Sequence, residues 1–182
     1  MLECEAPKIA AMLRTCSKLS VLNVCSGNHH YRKLNQPFIH YVVLQPLMDR
    51  GCTIANLDQK RANGVDIVDD CQEMKSVKDG AYDLAIWTNA IEHMLRPADC
   101  IRAIHRVLKP GGSLLASGPG AYPYHADLID TMLRIQKREQ WQSILAGFFE
   151  VVAFDSTEKT PVPNGGWASI VLARRIPNGN GH

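Results

Sequence analysis

The sequence has no apolar run long enough to cross a bilayer, which takes about 20 consecutive residues. Its opening stretch, MLECEAPK, carries acidic residues where a secretory leader is basic, so a cytoplasmic location is expected. A net charge of +2 gives no electrostatic case for nucleic acid or an anionic membrane. The six cysteines, at 4, 16, 25, 52, 71 and 100, include no C-x-x-C pair. That scatter argues against both a zinc cage and a disulfide framework. Several of them lie inside apolar runs and read as small buried hydrophobes in a reducing compartment. There is no internal repeat and no composition break that would mark a linker.

The remaining composition is that of an ordinary globular chain, with 46% hydrophobic and 21% charged residues in 182. The expectation is one domain over residues 1–176, followed by a polar, turn-forming and disordered tail at 177–182. Residues 5–18 have amphipathic helical spacing, with Ile9, Met12 and Leu13 on one face. Strands are expected at 20–24, 53–57 and 65–68, and a mixed helical segment at 41–49 is interrupted by Pro46. Asp127 is a candidate N-cap for a helix running towards Leu145. Strands at 149–154 and 168–173, separated by the Pro/Gly-rich stretch 160–166, suggest an antiparallel hairpin at one sheet edge.

Residues 82–117, YDLAIWTNAIEHMLRPADCIRAIHRVLKPGGSLLAS, are the most informative stretch. A buried strand at 83–87 leads through Thr88-Asn89 into helical spacing at Ile101, Ile104, Val107 and Leu108. Lys109-Pro110-Gly111-Gly112 then stops the helix and turns the chain into a second strand at Leu114-Leu115-Ala116. Strand, crossover helix and strand form a βαβ unit of a parallel sheet. The whole chain then reads as a Rossmann-like, doubly wound α/β sheet, mostly parallel with one antiparallel strand near the C-terminus. The wording of the stretch closely resembles class I S-adenosylmethionine-dependent methyltransferases of the small-molecule type. Their signature runs roughly "FD-apolar-x-x-x-EH-x-x-x-P…RVLKPGG". The resemblance covers residues 18–175 and implies S-adenosyl-L-methionine as cofactor.

Ligands of such sheets bind outside the carboxyl ends of the strands, where four loops qualify. The first holds Cys25, Ser26, Gly27 and Asn28. In the family it is glycine-rich, so that bare backbone can approach the methionine moiety. Here Gly27 alone matches, and Asn23 stands where an Asp is usual. The second ends in Asp58, a carboxylate able to accept both ribose hydroxyls or simply to cap a turn. The third resembles the family's "V-D-apolar-V-x-D-A-x-x-L" segment. This implies Asp70 at the adenine amino group and a backbone N–H from Cys71 at the ring, with Asp69 as the alternative one register away. The fourth, Trp87, Thr88 and Asn89, would run beneath the methionine end, although Trp87 also suits the core. The Asn/Asp-Pro-Pro-aromatic motif of nucleic-acid amino-methyltransferases is absent at this fourth loop, which argues against a nucleic-acid acceptor.

Two histidines are candidate bases. His93 is expected to begin the helix after the fourth loop, where it either faces the cleft or bonds local backbone. His125 sits in a segment resembling a "P-x-Y-P-x-H-x-x-x-x-D-x-x-R" pattern found in methyltransferases associated with glycan modification. That resemblance puts it over the acceptor side and implies a small-molecule or glycan-like acceptor. Arg134, four residues after Asp130, is either an anion contact or half of an intrahelical salt bridge. His29 and His30 beside Cys25 lack the further ligands of a tetrahedral metal site. Lys109-Pro110-Gly111-Gly112 lacks Walker spacing, and Cys25-Ser26-Gly27-Asn28-His29-His30 lacks the G-x-G-x-x-G of nicotinamide enzymes. The alternative reading is an inactive S-adenosylmethionine-binding module that acts as a regulatory or scaffolding partner.

Overall fold

The structure is a computed structural model that describes residues 11, 13–27, 43–119, 131, 133–156 and 168–177. Seven strands form one sheet: β1 (Ser20–Val24), β2 (Thr53–Asp58), β3 (Ile67–Val68), β4 (Tyr82–Thr88), β5 (Leu108–Pro119), β6 (Phe149–Ser156) and β7 (Ala168–Arg175). Their order is β3-β2-β1-β4-β5-β7-β6. β1 pairs in parallel with β2 and β4, β2 with β3, and β4 with β5. β7 runs antiparallel to both β5 and β6, and is the reversed strand the sequence suggests. Chain order changes direction across the sheet between β1 and β4, so a crevice opens at their carboxyl ends.

Period-two alternation sends side chains to two cores. Leu22, Val24, Ala85, Trp87, Leu114 and Ala116 face a cluster that includes helix α2 (Pro97–Val107) and helix α3 (Arg138–Leu145). Val21, Leu84, Ile86 and Leu115 face a second cluster with Leu13 and with Leu47 of α1 (Gln45–Asp49). Pro46 does not interrupt α1. It lies in the first turn, where a missing N–H costs nothing. No helix among the described residues is long and apolar enough to cross a membrane.

Two expected boundaries shift. Leu108 already pairs with Tyr82, so β5 begins before the Lys-Pro-Gly-Gly turn, which bulges out before pairing resumes at Leu84 and Ser113. Gly111 has φ +74°, and a Cβ on Gly112 would lie 2.9 Å from the Lys109 carbonyl oxygen and 3.1 Å from that of Asp83. Both glycines are therefore required by the bulge. The helix expected from Asp127 towards Leu145 is helical only from Arg138 among the described residues. Upstream amides are used elsewhere: Thr131 N–H donates to the Glu92 carbonyl at 2.8 Å and Ile135 N–H to that of Pro119 at 2.9 Å. A segment whose amides reach other elements cannot form i→i−4 bonds. Asp127 itself lies outside the described residues.

One carboxylate fastens the amino-terminal end of the sheet. Asp83 on β4 accepts the Ser20 N–H at 2.9 Å and hydroxyl at 2.6 Å, and both its oxygens lie 2.8 Å from Lys109 Nζ. Partial burial pushes its pKa up, but the Lys109 and Ser20 bonds outweigh this and hold it below the usual carboxylate range. A carboxyl with a depressed native pKa contributes stability above its unfolded value, about pH 4, and loses it as pH falls through the native value. Asp83→Ala is expected to cost about 2–3 kcal/mol and about 5–10 °C in Tm near neutral pH. The wild-type advantage over Asp83→Asn should shrink below about pH 4 in acid titrations of Tm. An unchanged difference down to acid pH would refute the assignment.

Candidate functional site

The loops at the carboxyl ends of β1, β2, β3 and β4 line the crevice. After β1, Cys25 adopts φ +55° and Gly27 φ +60°. The turn is held by two bonds: Ser26 N–H donates to the Leu57 carbonyl at 2.9 Å, and Gly27 N–H to Asp58 Oδ2 at 2.9 Å. Asp58 Oδ1 accepts the Lys60 N–H at 3.0 Å, so among the described residues each oxygen accepts one hydrogen bond. Asn23 is buried and donates to the Asn56 side chain at 3.0 Å, while Asn56 donates to Asp66. This polar chain ties β1 to β2 just below the crevice. Asn28, His29 and His30 lie outside the described residues.

After β3, the two adjacent aspartates have different duties. Asp69 is absorbed locally, with Oδ2 accepting the Ser76 N–H at 2.7 Å and hydroxyl at 2.5 Å. Partial burial raises its pKa, but these bonds prevail and leave it lowered. Asp70 Oδ1 accepts the Gln72 N–H at 2.9 Å, and its Oδ2 makes no hydrogen bond among the described residues. Arg106 of α2 fixes the loop from outside. It donates to the carbonyls of Val77 at 2.9 Å, Met74 at 2.7 Å and Glu73 at 3.3 Å, and pairs with Asp79.

After β4, Thr88 is buried and Asn89 adopts φ +50°. Its N–H donates to the Ser117 carbonyl at 3.1 Å, and the Ser117 hydroxyl donates to Asn89 Oδ1 at 3.1 Å. Trp87 is core, 1% exposed, and its indole N–H has no acceptor among the described residues. His93 does not begin the following helix but ends a separate 3₁₀ turn, Ile91–His93. Arg96, immediately before Pro97, is non-helical (φ −131°, ψ 67°), so the helix starts afresh at Pro97. The half-buried His93 ring has Nε2 3.7 Å from Oε1 of the buried Glu92. Thr131 binds the Glu92 carbonyl through both its N–H and its hydroxyl, so the segment after β5 folds back beside His93. His125 and Asp130 lie outside the described residues. Arg134 lies in a non-helical stretch and donates to the Leu133 carbonyl.

Residues 24–116 match a family model described as a methyltransferase domain. The chain belongs to that family. Solved structures agree with it in fold. A 1,6-didemethyltoxoflavin N1-methyltransferase from Burkholderia thailandensis, with bound 1,6-didemethyltoxoflavin and S-adenosylhomocysteine, is 15% identical. The match has a TM-score of 0.67 and covers 93% of this chain and 77% of that one. A SAM-dependent methyltransferase from Aquifex aeolicus is 14% identical, with TM-score 0.60 and coverage of 93% and 89%. The [4+2]-cyclase SpnF is 19% identical, with TM-score 0.62 and coverage of 94% and 81%. No curated protein matches in sequence. The seven-stranded sheet is the class I methyltransferase fold, and the cyclase shows that this fold alone does not fix a reaction.

Sequence reasoning missed one grouping in this methyltransferase domain. Cys25 after β1 and Cys71 after β3 both pack against the core cluster that contains Cys100 of α2. Their spacing of 46 and 29 residues hides this until the strand order is known. Among the described residues no group of three or more His, Cys, Asp or Glu side chains is arranged to hold a metal ion. The Arg106 clamp was equally invisible, because a helical arginine reads as solvated surface. Arg106→Ala is expected to cost about 2–3 kcal/mol and to speed amide exchange in residues 73–79, while exchange in β1 stays at its global limit. Unchanged exchange in that loop would show that the clamp is dispensable.

Proposed function

We propose that this chain transfers a methyl group from S-adenosyl-L-methionine to a small-molecule or glycan-like acceptor. The supporting observation is the Asp58 carboxylate, set at the end of β2 beside the β1/β4 switch, each of whose oxygens accepts one hydrogen bond among the described residues and so has room for a second. Two parallel acceptors suit a ribose diol. Asp70 is the second polar contact, for the adenine amino group, because Asp69 is occupied by Ser76. The Cys71 N–H serves the ring. Cys25, Ser26, Gly27 and Asn28 border the methionine end from one side, and backbone of Trp87, Thr88 and Asn89 from the other.

The cofactor supplies a methyl already activated on a sulfonium, so the protein has to align the acceptor in line and exclude water. His93 takes the acceptor proton in this reading, with the Glu92 carboxylate 3.7 Å from its Nε2. His125 lines the acceptor side from the segment after β5, and Arg134 contacts an acidic group on the acceptor.

Calorimetry with S-adenosylhomocysteine tests the cofactor reading. Binding is expected, and Asp58→Ala should weaken it by about one to two orders of magnitude through loss of charge-assisted bonds. No binding of the wild type at concentrations on the order of millimolar sinks the proposal. Once an acceptor is found, His93→Gln should lower kcat by about 10²–10⁴-fold with cofactor affinity unchanged, and His125→Ala should also lower turnover. Cofactor affinity that collapses in the His125 variant would move that loop to the cofactor side.

A further inference from the structure

Asn89 is exposed at the carboxyl end of β4, and Ser117 sets the orientation of its carboxamide. The Asn89 N–H donates to the Ser117 hydroxyl oxygen at 3.2 Å as well as to the Ser117 carbonyl. The proton of that buried hydroxyl goes to Asn89 Oδ1 at 3.1 Å. The amide oxygen is therefore tied to β5, and Nδ2 makes no hydrogen bond among the described residues. What the Asn89 side chain offers to the crevice is a donor. We propose that this donor binds the acceptor atom itself, and that the atom is a hydroxyl oxygen and not an amine nitrogen.

The choice follows from lone pairs. A hydroxyl oxygen has two lone pairs and one proton. One pair accepts from Asn89 Nδ2, the second forms the bond to the methyl carbon, and the proton passes to His93. The carbon–sulfur bond breaks with its electrons left on sulfur. The products are a methyl ether, the demethylated thioether and a protonated imidazole. A neutral amine has one lone pair, which the same N–H would occupy, and an ammonium has none. An amine acceptor calls instead for an amide oxygen to receive its N–H groups, and here that oxygen is spent on Ser117. His93 is one turn away, its N–H bonded to the Ala90 carbonyl at 3.0 Å, so donor and base leave the same short segment.

The assignment rests on the cofactor and base reading given under the proposed function. In that reading the loops after β3, β2 and β1 meet adenine, ribose and methionine in turn, which is also the order of those strands in the sheet. The methyl end of that path is at β4. A side chain tied across to β5 lies beyond it, where an in-line acceptor has to be.

Asn89→Gly is the test variant, because glycine adopts φ +50° without strain and keeps the turn. Its Tm and its affinity for S-adenosylhomocysteine are expected to match the wild type, while methyl transfer falls by about 10²-fold. Asn89→Asp, which presents only acceptors, should lose at least as much. The acceptor atom is read by giving the full chain S-adenosylmethionine with an isotope-labelled methyl carbon together with a deproteinised cell extract. The carbon NMR spectrum of the products is expected to show a methoxyl. An N-methyl or C-methyl signal overturns the proposal, and so does the absence of labelled product from protein that binds S-adenosylhomocysteine. An Asn89 side-chain amide that S-adenosylhomocysteine alone protects from exchange also overturns it, since the donor then serves the cofactor. Each of those outcomes leaves the cofactor reading standing, whereas no binding of S-adenosylhomocysteine sinks that reading and this inference with it.

Discussion

The geometry of the crevice depends on a carboxylate at the opposite end of the sheet. Asp83 binds the start of β1 through Ser20 and the bulge of β5 through Lys109, fixing three strands with one side chain. Parallel strands have no hairpin to set their register, so something else must pin it. With Val21 opposite both Ile54 and Leu84, the carboxyl ends of β1, β2 and β4 come out level. A slip of one residue would turn Leu22 and Trp87 away from α2 and carry Asp58 out of reach of Gly27. The pin also explains the glycines of the bulge, since Lys109 reaches back to Asp83 only if the backbone between Leu108 and Ser113 loops out.

At the working end the same problem is solved with backbone hydrogen bonds. Asp58 and Leu57 hold the turn after β1, Ser117 holds the turn after β4, and Arg106 holds the loop after β3 from the far side of α2. Each loop is therefore tied to a neighbouring element and not only to itself, which is how a rigid scaffold positions polar groups on irregular chain. Trp87 serves differently. Its ring fills the core under the crevice, so only its backbone is at the strand end.

The fold was legible because its signals are local. Apolar runs, the helical spacing through Ile104, and the Pro/Gly stretch before β7 are each readable within a dozen residues, and together they allow few topologies. The boundaries that moved did so for non-local reasons. Helix α3 starts late because Glu92 and Pro119 claim the amides of Thr131 and Ile135, and His93 leaves its helix because Pro97 begins another. The places of Asp58 and Asp70 at strand ends were legible in the sequence, and the resemblance already put Asp70 ahead of Asp69. The fold-back of Ser76 onto the Asp69 carboxylate was not legible, because it depends on the path of the loop after β3. The convergence of Cys25 and Cys71 on the core cluster of Cys100 was not legible, because sequence spacing says nothing about two loops that flank a third strand.

The sparse glycine content of the first loop takes on a different meaning in three dimensions. Glycine is common there because the chain must enter the left-handed region next to a ligand. Here Cys25 and Asn89 occupy that region with side chains, at φ +55° and +50°, a conformation that costs of order 1 kcal/mol or more each. Both sites persist because neighbouring bonds over-determine them, from Leu57 and Asp58 in one case and from Ser117 in the other. The first loop thus keeps, at Cys25, the backbone path that a glycine would give while carrying a side chain on it.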